Sequence, residues 1–426
     1  MTQQHIRAKY WIETPYPLDH AAAVLAGEQS CGTFVRVAHE TDDLRRRHQA
    51  QVEAIYPLEV VDRPSLPGVK LPSRLQTTGY QRAEIVVAFP LVNVGVNLPT
   101  LLATVAGNLF ELREFSGLRL LDVELPEAFA DLPRPQFGIE GTRRLAGVHG
   151  RPLIGTIIKP SVGLSPDETA SLVRTLVNAG LDFIKDDELM ANPPHSPLAE
   201  RAPAVMREIN AAADRSGRKA MYAFNISDEP AAMRRNHDLV LKHGGTCVMT
   251  SLHHVGVAGL LDLRRHSQLP IHGHRNGWGI YSRCPAVGID YQAMQKIWRL
   301  AGVDHLHVNG LQNKFCESDD SVVASIQACL TPMFGSDAAM PVVSSGQWGG
   351  QAPDTYRRTE TFDLIYLAGG GILGHPGGPA AGCRAIQQAW DAAARGEHLS
   401  DYAATHVELR QMMDWIGTRQ QYQLTS

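Results

Sequence analysis

From about residue 150 onward, the sequence repeats one pattern: a short run rich in β-branched and aromatic residues, a polar or glycine-rich break, and a longer run with helical periodicity. Eight such units occupy roughly 250 residues, which is the size and order of a (β/α)8 barrel. The strands of such a barrel are buried on both faces, and these runs are correspondingly apolar. The predicted strands are 153–160, 181–188, 219–227, 246–251, 269–276, 305–311, 340–347 and 362–370.

The segment before the barrel differs from it. Residues 10–16, 32–38 and 82–91 have the composition of strands in an open sheet, and residues 42–55 form a charged, amphipathic pattern that predicts a helix. We therefore predict an α/β chain with an N-terminal α+β open-sheet domain. The predicted bounds are 1–140 for this domain, 141–400 for the barrel and 401–426 for a C-terminal helical tail.

Composition excludes several classes of function. A net charge of −4 over 426 residues offers no polybasic surface for nucleic acid or for a membrane. The N-terminus lacks the apolar run of a signal peptide, and no segment approaches a membrane span, so we expect a cytoplasmic protein. The six cysteines contain no CxxC pair, which argues against a zinc site or a disulfide framework.

The active site of a barrel of this kind is built at the carboxyl ends of its strands. Most of the predicted strands end in polar groups or in glycines, a convergence that packing alone does not explain. These residues are Lys159, Lys185, Asp187, Glu188, His272, His274, Arg275, His307, Ser344, Ser345, Gly369, Gly370 and Gly371.

The most charged of these strand ends is the segment FIKDDE, residues 183–188. Strand alternation sends Lys185 and Asp187 to one face and Asp186 to the other, while Glu188 begins the loop. Two carboxylates in a dry barrel mouth favour a hard cation such as Mg²⁺. Lys185 is compatible with them either as a salt-bridge partner without metal or after conversion into an anion.

Each signal also has a structural interpretation. The charged run is compatible with a solvated loop held by internal salt bridges, and the histidines of HGH with a hydrogen-bonded structural pair. The segment GGGILGHPGG by itself indicates only a flexible or phosphate-binding loop. The function therefore depends on the joint pattern.

Jointly, these motifs resemble the large subunit of RuBisCO, and specifically its RuBisCO-like relatives. The resemblance extends over nearly the whole chain and includes AGEQSCGTF and AGNLF in the N-terminal domain. In the barrel it is carried by GTIIKP at 155–160, GLDFIKDDE at 180–188, IHGHR at 271–275, DHLHVNGLQNK at 304–314, PVVSSG at 341–346 and GGGILGHPGG at 369–378.

The resemblance implies a metal site and two further catalytic lysines. Lys185 would react with CO2 to form a carbamate, which would hold Mg²⁺ together with Asp187 and Glu188. Lys159 would be the proton-transfer lysine of the first barrel strand, and Lys314 the lysine of the mobile loop after the sixth.

The resemblance also implies contacts with the substrate and a homo-oligomeric assembly. His274 and His307 would be the two barrel histidines, with His274 among the catalytic residues. One phosphate site would use Thr33, Gly346, Gly369 and Gly370, and a second would lie near Arg275, His307 and Ser344. Glu28 and Asn108 would serve the active site of a second subunit, which implies a homodimer or higher homo-oligomer.

Four departures from the carboxylases change the expected reaction. Ser161 stands where they have a lysine, Phe34 where many have tryptophan, and Trp278 where a histidine lines the second phosphate site. The loop before Lys314 reads VNGLQN in place of the SGTVVG type. These differences argue against carboxylation of a bisphosphate and fit a substrate with a single phosphate.

We therefore predict an enzyme that decarboxylates a phosphorylated 3-oxo sugar acid through an enediolate, by analogy with RuBisCO-like enzymes of apionate breakdown. The alternatives are an enolase or isomerase of a methylthio-sugar phosphate in methionine salvage, a bisphosphate carboxylase, and a non-catalytic protein that binds a sugar phosphate.

Overall fold

The computed structural model describes residues 4–32, 37–71, 79–335 and 337–424. Thr33 and Phe34 lie outside this described part. The contacts divide the chain into two compact units, one formed by Met1–Leu132 with Gly277–Leu300 and the other by Pro133–Asn276 with Ala301–Ser426. The domain bounds 1–140, 141–400 and 401–426 stay a prediction.

Thirteen strands are described, in two sheets. In chain order they are β1 His5–Thr14, β2 Gln51–Val61, β3 Tyr80–Pro90, β4 Gly117–Glu124, β5 Leu153–Ile157, β6 Phe183–Lys185, β7 Met221–Asn225, β8 Cys247–Ser251, β9 Ile271–His274, β10 Val287–Ile289, β11 His305–His307, β12 Met340–Val343 and β13 Ile365–Leu367.

The helices of the described chain are α1 Leu18–Glu28, α2 Asp42–His48, α3 Leu91–Val94, α4 Leu98–Ala106, α5 Gly138–Ala146, α6 Pro166–Asn178, α7 Leu198–Ser216, α8 Pro230–Lys242, α9 Leu252–His266, α10 Gly279–Ser282, α11 Tyr291–Leu300, α12 Asp319–Leu330, α13 Ala352–Thr359, α14 Gly369–Leu373, α15 Gly378–Arg395, α16 Leu399–Thr405 and α17 Val407–Leu424. Short 3-10 helices span Asn108–Glu111, Glu127–Asp131 and Gly349–Gln351. None of the described helices is both long enough and apolar enough to span a bilayer.

The first unit is built on an open sheet with the strand order β10-β4-β1-β3-β2. β1 pairs antiparallel with β3 and β4, whereas β10 pairs parallel with β4. Alternate residues of β1, including Ile6, Ala8, Tyr10 and Ile12, are fully buried, which is the two-residue period of a strand with one face on the core. The open-sheet prediction is confirmed.

The predicted helix over 42–55 is wrong in its second half. The helix α2 ends at His48, and β2 begins at Gln51 and pairs antiparallel with β3. The run QVEAIYPLEVV is rich in β-branched residues, and pairing with a neighbouring strand outweighs the local helical pattern.

A buried carboxylate anchors the first unit. Glu13 is fully buried in β1 and accepts hydrogen bonds from the Ser65 hydroxyl at 2.7 Å, the Ser116 hydroxyl at 2.7 Å and Arg82 Nε at 2.8 Å. Burial works to raise the pKa of Glu13, but these donors outweigh it, and the net pKa lies below its ordinary value of 4.5.

We expect Glu13→Ala to lower the free energy of unfolding by about 3–5 kcal/mol, because it removes the buried anionic partner of Arg82 and leaves the hydroxyls of Ser65 and Ser116 without this acceptor. Since the folded pKa is depressed, this stabilisation is present above pH 4.5 and is lost as the pH falls through the folded pKa. Denaturant unfolding at pH 7 and pH 3 tests both points. Glu59→Ala is the control, because Glu59 is an exposed partner of the same Arg82 and its loss should cost far less.

The second unit contains a closed barrel with the strand order β11-β12-β13-β5-β6-β7-β8-β9. Every neighbouring pair is parallel, so the predicted (β/α)8 barrel is confirmed. Apolar side chains fill its interior, among them Leu153, Phe183, Met221, Ala223, Cys247, Met249, Met340, Val342, Ile365 and Leu367. Because all eight strands run the same way, their carboxyl ends share one rim.

Candidate active site

The barrel rim brings together the site residues that the sequence predicted for the second unit. Lys185 ends β6, His274 ends β9 and His307 ends β11, while the other positions follow a strand by a few residues. Those that follow strands are Lys159 after β5, Asp187 and Glu188 after β6, Arg275 after β9, Lys314 after β11, Ser344 and Gly346 after β12, and Gly369 and Gly370 after β13.

Lys185 is buried at the centre of this arrangement, with 1% of its side chain exposed. Its Nζ donates to the carbonyl of Asp186 at 2.9 Å and lies 3.7 Å from Oε2 of Glu188. Burial lowers the pKa of the ammonium, and the neighbouring carboxylates of Glu188 and Asp187 only partly oppose that effect. The amine therefore loses its proton more readily than an exposed lysine does.

Lys159 and Asp187 form the second element of the site. Lys159 Nζ donates to Oδ2 of Asp187 and to the hydroxyl of Ser161, both at 2.7 Å. The backbone N–H of Leu189 donates to the other oxygen of Asp187 at 3.2 Å. The Asp187 carboxylate is buried, whereas 46% of the Lys159 side chain is exposed. Lys159 can therefore exchange protons with a ligand or with water while Asp187 orients it.

Glu188 connects Lys185 to a histidine. Its Oε2 lies 3.5 Å from Nε2 of His274, whose Nδ1 is 3.0 Å from Oδ1 of Asn276. Burial lowers the pKa of His274 to about 4, and the nearby Lys185 charge acts in the same direction. Burial alone would raise the pKa of Glu188, but the positive groups beside it outweigh burial and the net direction is downward. The positive groups at the barrel mouth therefore favour the carboxylate form of Glu188.

Asp186 points away from this group, as strand alternation predicts. It accepts hydrogen bonds from the Tyr222 hydroxyl at 2.6 Å, from the Asn225 N–H at 3.0 Å and from Arg201 at 3.3 Å. The three acidic residues therefore divide between two tasks: Asp186 fixes the end of β6, and Asp187 and Glu188 face the site.

Asn225, the last residue of β7, belongs to the site and was missed by the sequence argument. Its side-chain amide donates to the carbonyls of Asp187 at 3.2 Å and Glu188 at 3.1 Å. Its Oδ1 accepts from the hydroxyl of Ser227 at 2.7 Å. The signal that could have identified it is its place at the end of a barrel strand, where polar residues are functional candidates.

Arg275, expected near a second phosphate, already has an anionic partner. It lies 3.0 Å from Oε2 of Glu317, which also accepts from the amide of Asn309 at 2.5 Å. Nothing in the sequence argument suggested Glu317, because it follows Lys314 in a polar loop. A carboxylate beside Arg275 neutralises the charge that a phosphate would need.

Lys314 lies on the exposed loop between β11 and α12. Its backbone N–H donates to the carbonyl of Ser345 at 3.2 Å, and its ammonium lies 5.3 Å from the centre of the Phe315 ring. The neighbouring Gly346 has a φ of +90°, which only glycine adopts without strain. The loop lysine therefore lies next to one of the predicted phosphate-binding glycines.

Glu28 and Asn108 belong to the first unit, where Glu28 ends α1 and Asn108 begins a 3-10 helix. Both are exposed in the single chain, as residues that serve a second subunit would be. Trp278, by contrast, is 3% exposed, and its ring packs against those of Tyr281 and Trp298 in the same unit. The predicted phosphate ligand Thr33 is outside the described residues.

Among the described residues, one group of histidine and carboxylate side chains has spacing suited to a metal ion: His237, Asp238 and His266. The backbone N–H of Gln268 donates to Nε2 of His237 at 3.1 Å, so the proton of this ring lies on Nδ1. Nδ1 is the atom that faces Asp238, at 3.0 Å. A protonated nitrogen cannot ligate a metal, and the geometry is that of a hydrogen-bonded cluster.

Most of the chain matches two models of one protein family. Residues 138–415 match the ribulose bisphosphate carboxylase large chain, catalytic domain, and residues 2–129 match its N-terminal domain. The chain belongs to the RuBisCO large-chain family. The recognition of RuBisCO-like motifs in the sequence is therefore confirmed.

Curated relatives within this family are similar over nearly their full lengths. The 3-oxo-isoapionate-4-phosphate transcarboxylase/hydrolase of Xanthobacter autotrophicus is 52% identical over 96% of this chain and 98% of its own. The 3-oxo-isoapionate-4-phosphate decarboxylase of Rhizobium etli is 48% identical over 95% and 97%. The names of these relatives confirm the prediction of a carboxy-lyase of the RuBisCO-like family.

Solved structures of related proteins also support the fold. A rubisco-like protein from Burkholderia fungorum has a TM-score of 0.90 at 48% identity, covering 96% of this chain and 99% of that one. A dimeric archaeal Rubisco from Hyperthermus butylicus has a TM-score of 0.82 at 28% identity, covering 96% and 95%. The second of these is an oligomer, which is consistent with the predicted homo-oligomer.

Proposed function

We propose that this RuBisCO-like protein is a Mg²⁺-dependent decarboxylase of a phosphorylated 3-oxo sugar acid, of the 3-oxo-isoapionate 4-phosphate type. The observation that carries the proposal is a buried Lys185 beside Glu188 and Asp187, combined with a loop lysine at the same barrel rim. Relatives at about 50% identity that are named for this substrate support it.

The donor set fits Mg²⁺ on one condition. Asp187 and Glu188 supply two carboxylates, and a third anionic oxygen ligand would come from Lys185 once its amine has reacted with CO2 to form a carbamate. Burial lowers the pKa of Lys185 and so favours the neutral amine that this reaction requires. When bound, the ion supplies a Lewis acid that stabilises negative charge on an oxygen.

The other predicted site residues have distinct tasks in this reaction. In decarboxylation the bond between the carboxylate and its α-carbon breaks, CO2 leaves, and the electron pair stays on the substrate as an enediolate that must then gain a proton at carbon. Lys159, partly exposed and held by Asp187, would deliver that proton. Lys314 would bind the substrate carboxylate, and Gly346, Gly369 and Gly370 the phosphate.

A second candidate reaction is carboxyl transfer followed by hydrolysis, because one relative at 52% identity is named a transcarboxylase/hydrolase. The two reactions share the cleavage of the same bond and differ in the fate of the carboxyl group. In decarboxylation the carboxyl group leaves as CO2. In carboxyl transfer it is passed to an acceptor and released from that acceptor by hydrolysis.

The deciding experiment is proton NMR of the purified protein in D2O with Mg²⁺, bicarbonate and 3-oxo-isoapionate 4-phosphate. The substrate is labelled with ¹³C at its carboxyl group, and released CO2 is collected in a trap. Release of labelled CO2, with one deuterium at the former carboxyl-bearing carbon, supports decarboxylation. Label retained on an acceptor supports transfer. Deuterium exchange without loss of the carboxyl group would favour the enolase or isomerase, and methylthio-ribulose phosphate would be tried next.

Asn225→Ala should raise the Mg²⁺ concentration needed for half-maximal activity by about ten- to a hundredfold, because Asn225 holds the backbone that carries Asp187 and Glu188. Activity titrations with Mg²⁺ measure this shift. Ser227→Ala is the matched control, since the contacts that its hydroxyl makes are to the oxygen of Asn225 and to the N–H of Ser251, and not to the backbone of Asp187 or Glu188. Equal effects of the two variants would contradict the assignment.

We also propose a homodimer or larger homo-oligomer in the cytoplasm, in which Glu28 and Asn108 complete the site of a neighbouring subunit. Glu28→Gln and Lys185→Met proteins should each be inactive alone. Unfolding and refolding them together should restore activity in mixed dimers, because such a dimer contains one site with neither substitution. Failure to regain activity, with mixed dimers verified by mass, would contradict a shared site.

A further inference from the structure

Ser161 lies two residues beyond Lys159 on the loop between β5 and α6. An ammonium group has three N–H donors, and two of those of Lys159 are directed at protein acceptors. These acceptors are Oδ2 of Asp187 and Oγ of Ser161, both at 2.7 Å. Two such contacts restrain both the position of Nζ and the rotation of the ammonium about its bond to Cε. They therefore set the direction in which the third N–H faces a ligand.

The two acceptors of Lys159 differ in how well they hold it once a metal ion is bound. Asp187 is one of the carboxylates proposed to hold Mg²⁺, and a cation on that carboxylate weakens its attraction for a neighbouring ammonium. The Ser161 hydroxyl is uncharged and is not part of the proposed ligand set. Its hydrogen bond to Lys159 therefore does not compete with the metal, and Ser161 is the steadier anchor of the loaded site.

The segment that contains Ser161 is itself restrained on both sides. It follows β5 directly, and two residues later the backbone N–H of Gly163 donates to Nε2 of His195, in the loop between β6 and α7, at 3.1 Å. Ser165 then caps α6 through reciprocal contacts with Glu168. The Ser161 hydroxyl is thus held on a fixed piece of backbone, from which it can locate the long and flexible side chain of a lysine.

We propose that Ser161 is the positioning residue of Lys159, and that it holds the ammonium so that the remaining N–H reaches the enediolate from one side only. This inference rests on the proposed function for the step that it directs. In that step an N–H bond of Lys159 breaks, and a C–H bond forms with the electron pair that the departing CO2 leaves behind. Lys159 becomes a neutral amine, and its exposed side takes a proton from water. The new C–H bond should therefore have a single configuration.

Decarboxylation in D2O tests the side of proton delivery. The former carboxyl-bearing carbon gains a deuterium, and its configuration is read by NMR at early conversion after derivatisation with a chiral reagent. We expect one configuration from the wild type and a mixture from Ser161→Ala, with kcat lowered about tenfold and KM nearly unchanged. Ser161→Thr keeps the hydroxyl and should restore both the rate and the single configuration. A mixture from the wild type, or a single configuration from Ser161→Ala, would overturn the proposal.

Ser165→Ala is the matched control for the stability of the loop. It removes a serine hydroxyl from the same loop, but this hydroxyl contacts Glu168 at 2.8 Å and serves the start of α6. We expect a lower melting temperature together with an unchanged kcat and a single configuration of the product. A mixture of configurations from Ser165→Ala would show that the stability of the loop, and not the contact with Lys159, directs the proton, and would also overturn the proposal.

A measurement without substrate separates this inference from the proposed decarboxylation. In crystals of the wild type grown with Mg²⁺ and bicarbonate, Nζ of Lys159 should remain within hydrogen-bond distance of Oγ of Ser161. In crystals of Ser161→Ala it should move away or occupy several positions. Loss of the contact in the wild type, or an unmoved Nζ in the variant, would overturn the proposal. If these positions are as expected and no CO2 is released, the proposed reaction fails while the anchoring of Lys159 stands.

Discussion

Lys185→Met is expected to abolish CO2 release, with kcat lowered at least about a thousandfold. The substitution removes the group that would supply a third anionic ligand beside Asp187 and Glu188, and the loss of several kcal/mol of transition-state stabilisation corresponds to this factor. Methionine has a similar length and no charge, so it suits a side chain that is 1% exposed. Steady-state rates across a range of Mg²⁺ and bicarbonate concentrations test the expectation.

A matched control is Lys219→Met. Lys219 is another lysine whose pKa is lowered by burial, and its Nζ donates to the carbonyl of Gly244 at 2.9 Å, outside the group that faces the barrel mouth. It should retain full activity. ¹³C NMR with labelled bicarbonate should detect a carbamate in the wild type and in this control but not in Lys185→Met. Substantial Mg²⁺-dependent turnover by Lys185→Met would show that the carbamate is not required.

Lys314→Ala should lower kcat for decarboxylation by about a hundred- to a thousandfold, the usual cost of removing one preorganised group that stabilises developing charge. An enolase or isomerase would instead lose mainly substrate affinity, because its chemistry makes less use of a loop cation. Separate determination of kcat and KM therefore distinguishes the two mechanisms. Cys316→Ala is the control, since Cys316 is an exposed residue of the same loop.

A rise in KM with an unchanged kcat would contradict the decarboxylase role of Lys314 and favour the isomerase. This result differs from the one expected for Lys185→Met, where the metal chemistry common to both mechanisms is removed. The two variants together therefore test the metal and the loop separately.

The barrel and its rim were predictable because their signals are local. Each apolar run between turn residues indicates a strand, and the parallel order of eight units implies a common edge where Lys185 and His274 meet. The second half of the helix predicted over 42–55 failed because β2 pairs with residues of β3 that lie 19 to 37 positions away in the chain. Asn225 was missed although its signal was equally local, since it ends a barrel strand as Lys185 does.

By itself, the sequence determined the family, the barrel and the charged strand end, because strand periodicity and the spacing of motifs are properties of consecutive residues. Only the tertiary structure decided which charged and polar side chains contact one another at the barrel mouth and inside the barrel. The pairing of Arg275 with Glu317, 42 positions apart in the chain, and the contact of Thr142 in α5 with His305 in β11 both join residues from different elements. Such contacts depend on the closed barrel, because they form only when distant strands lie side by side.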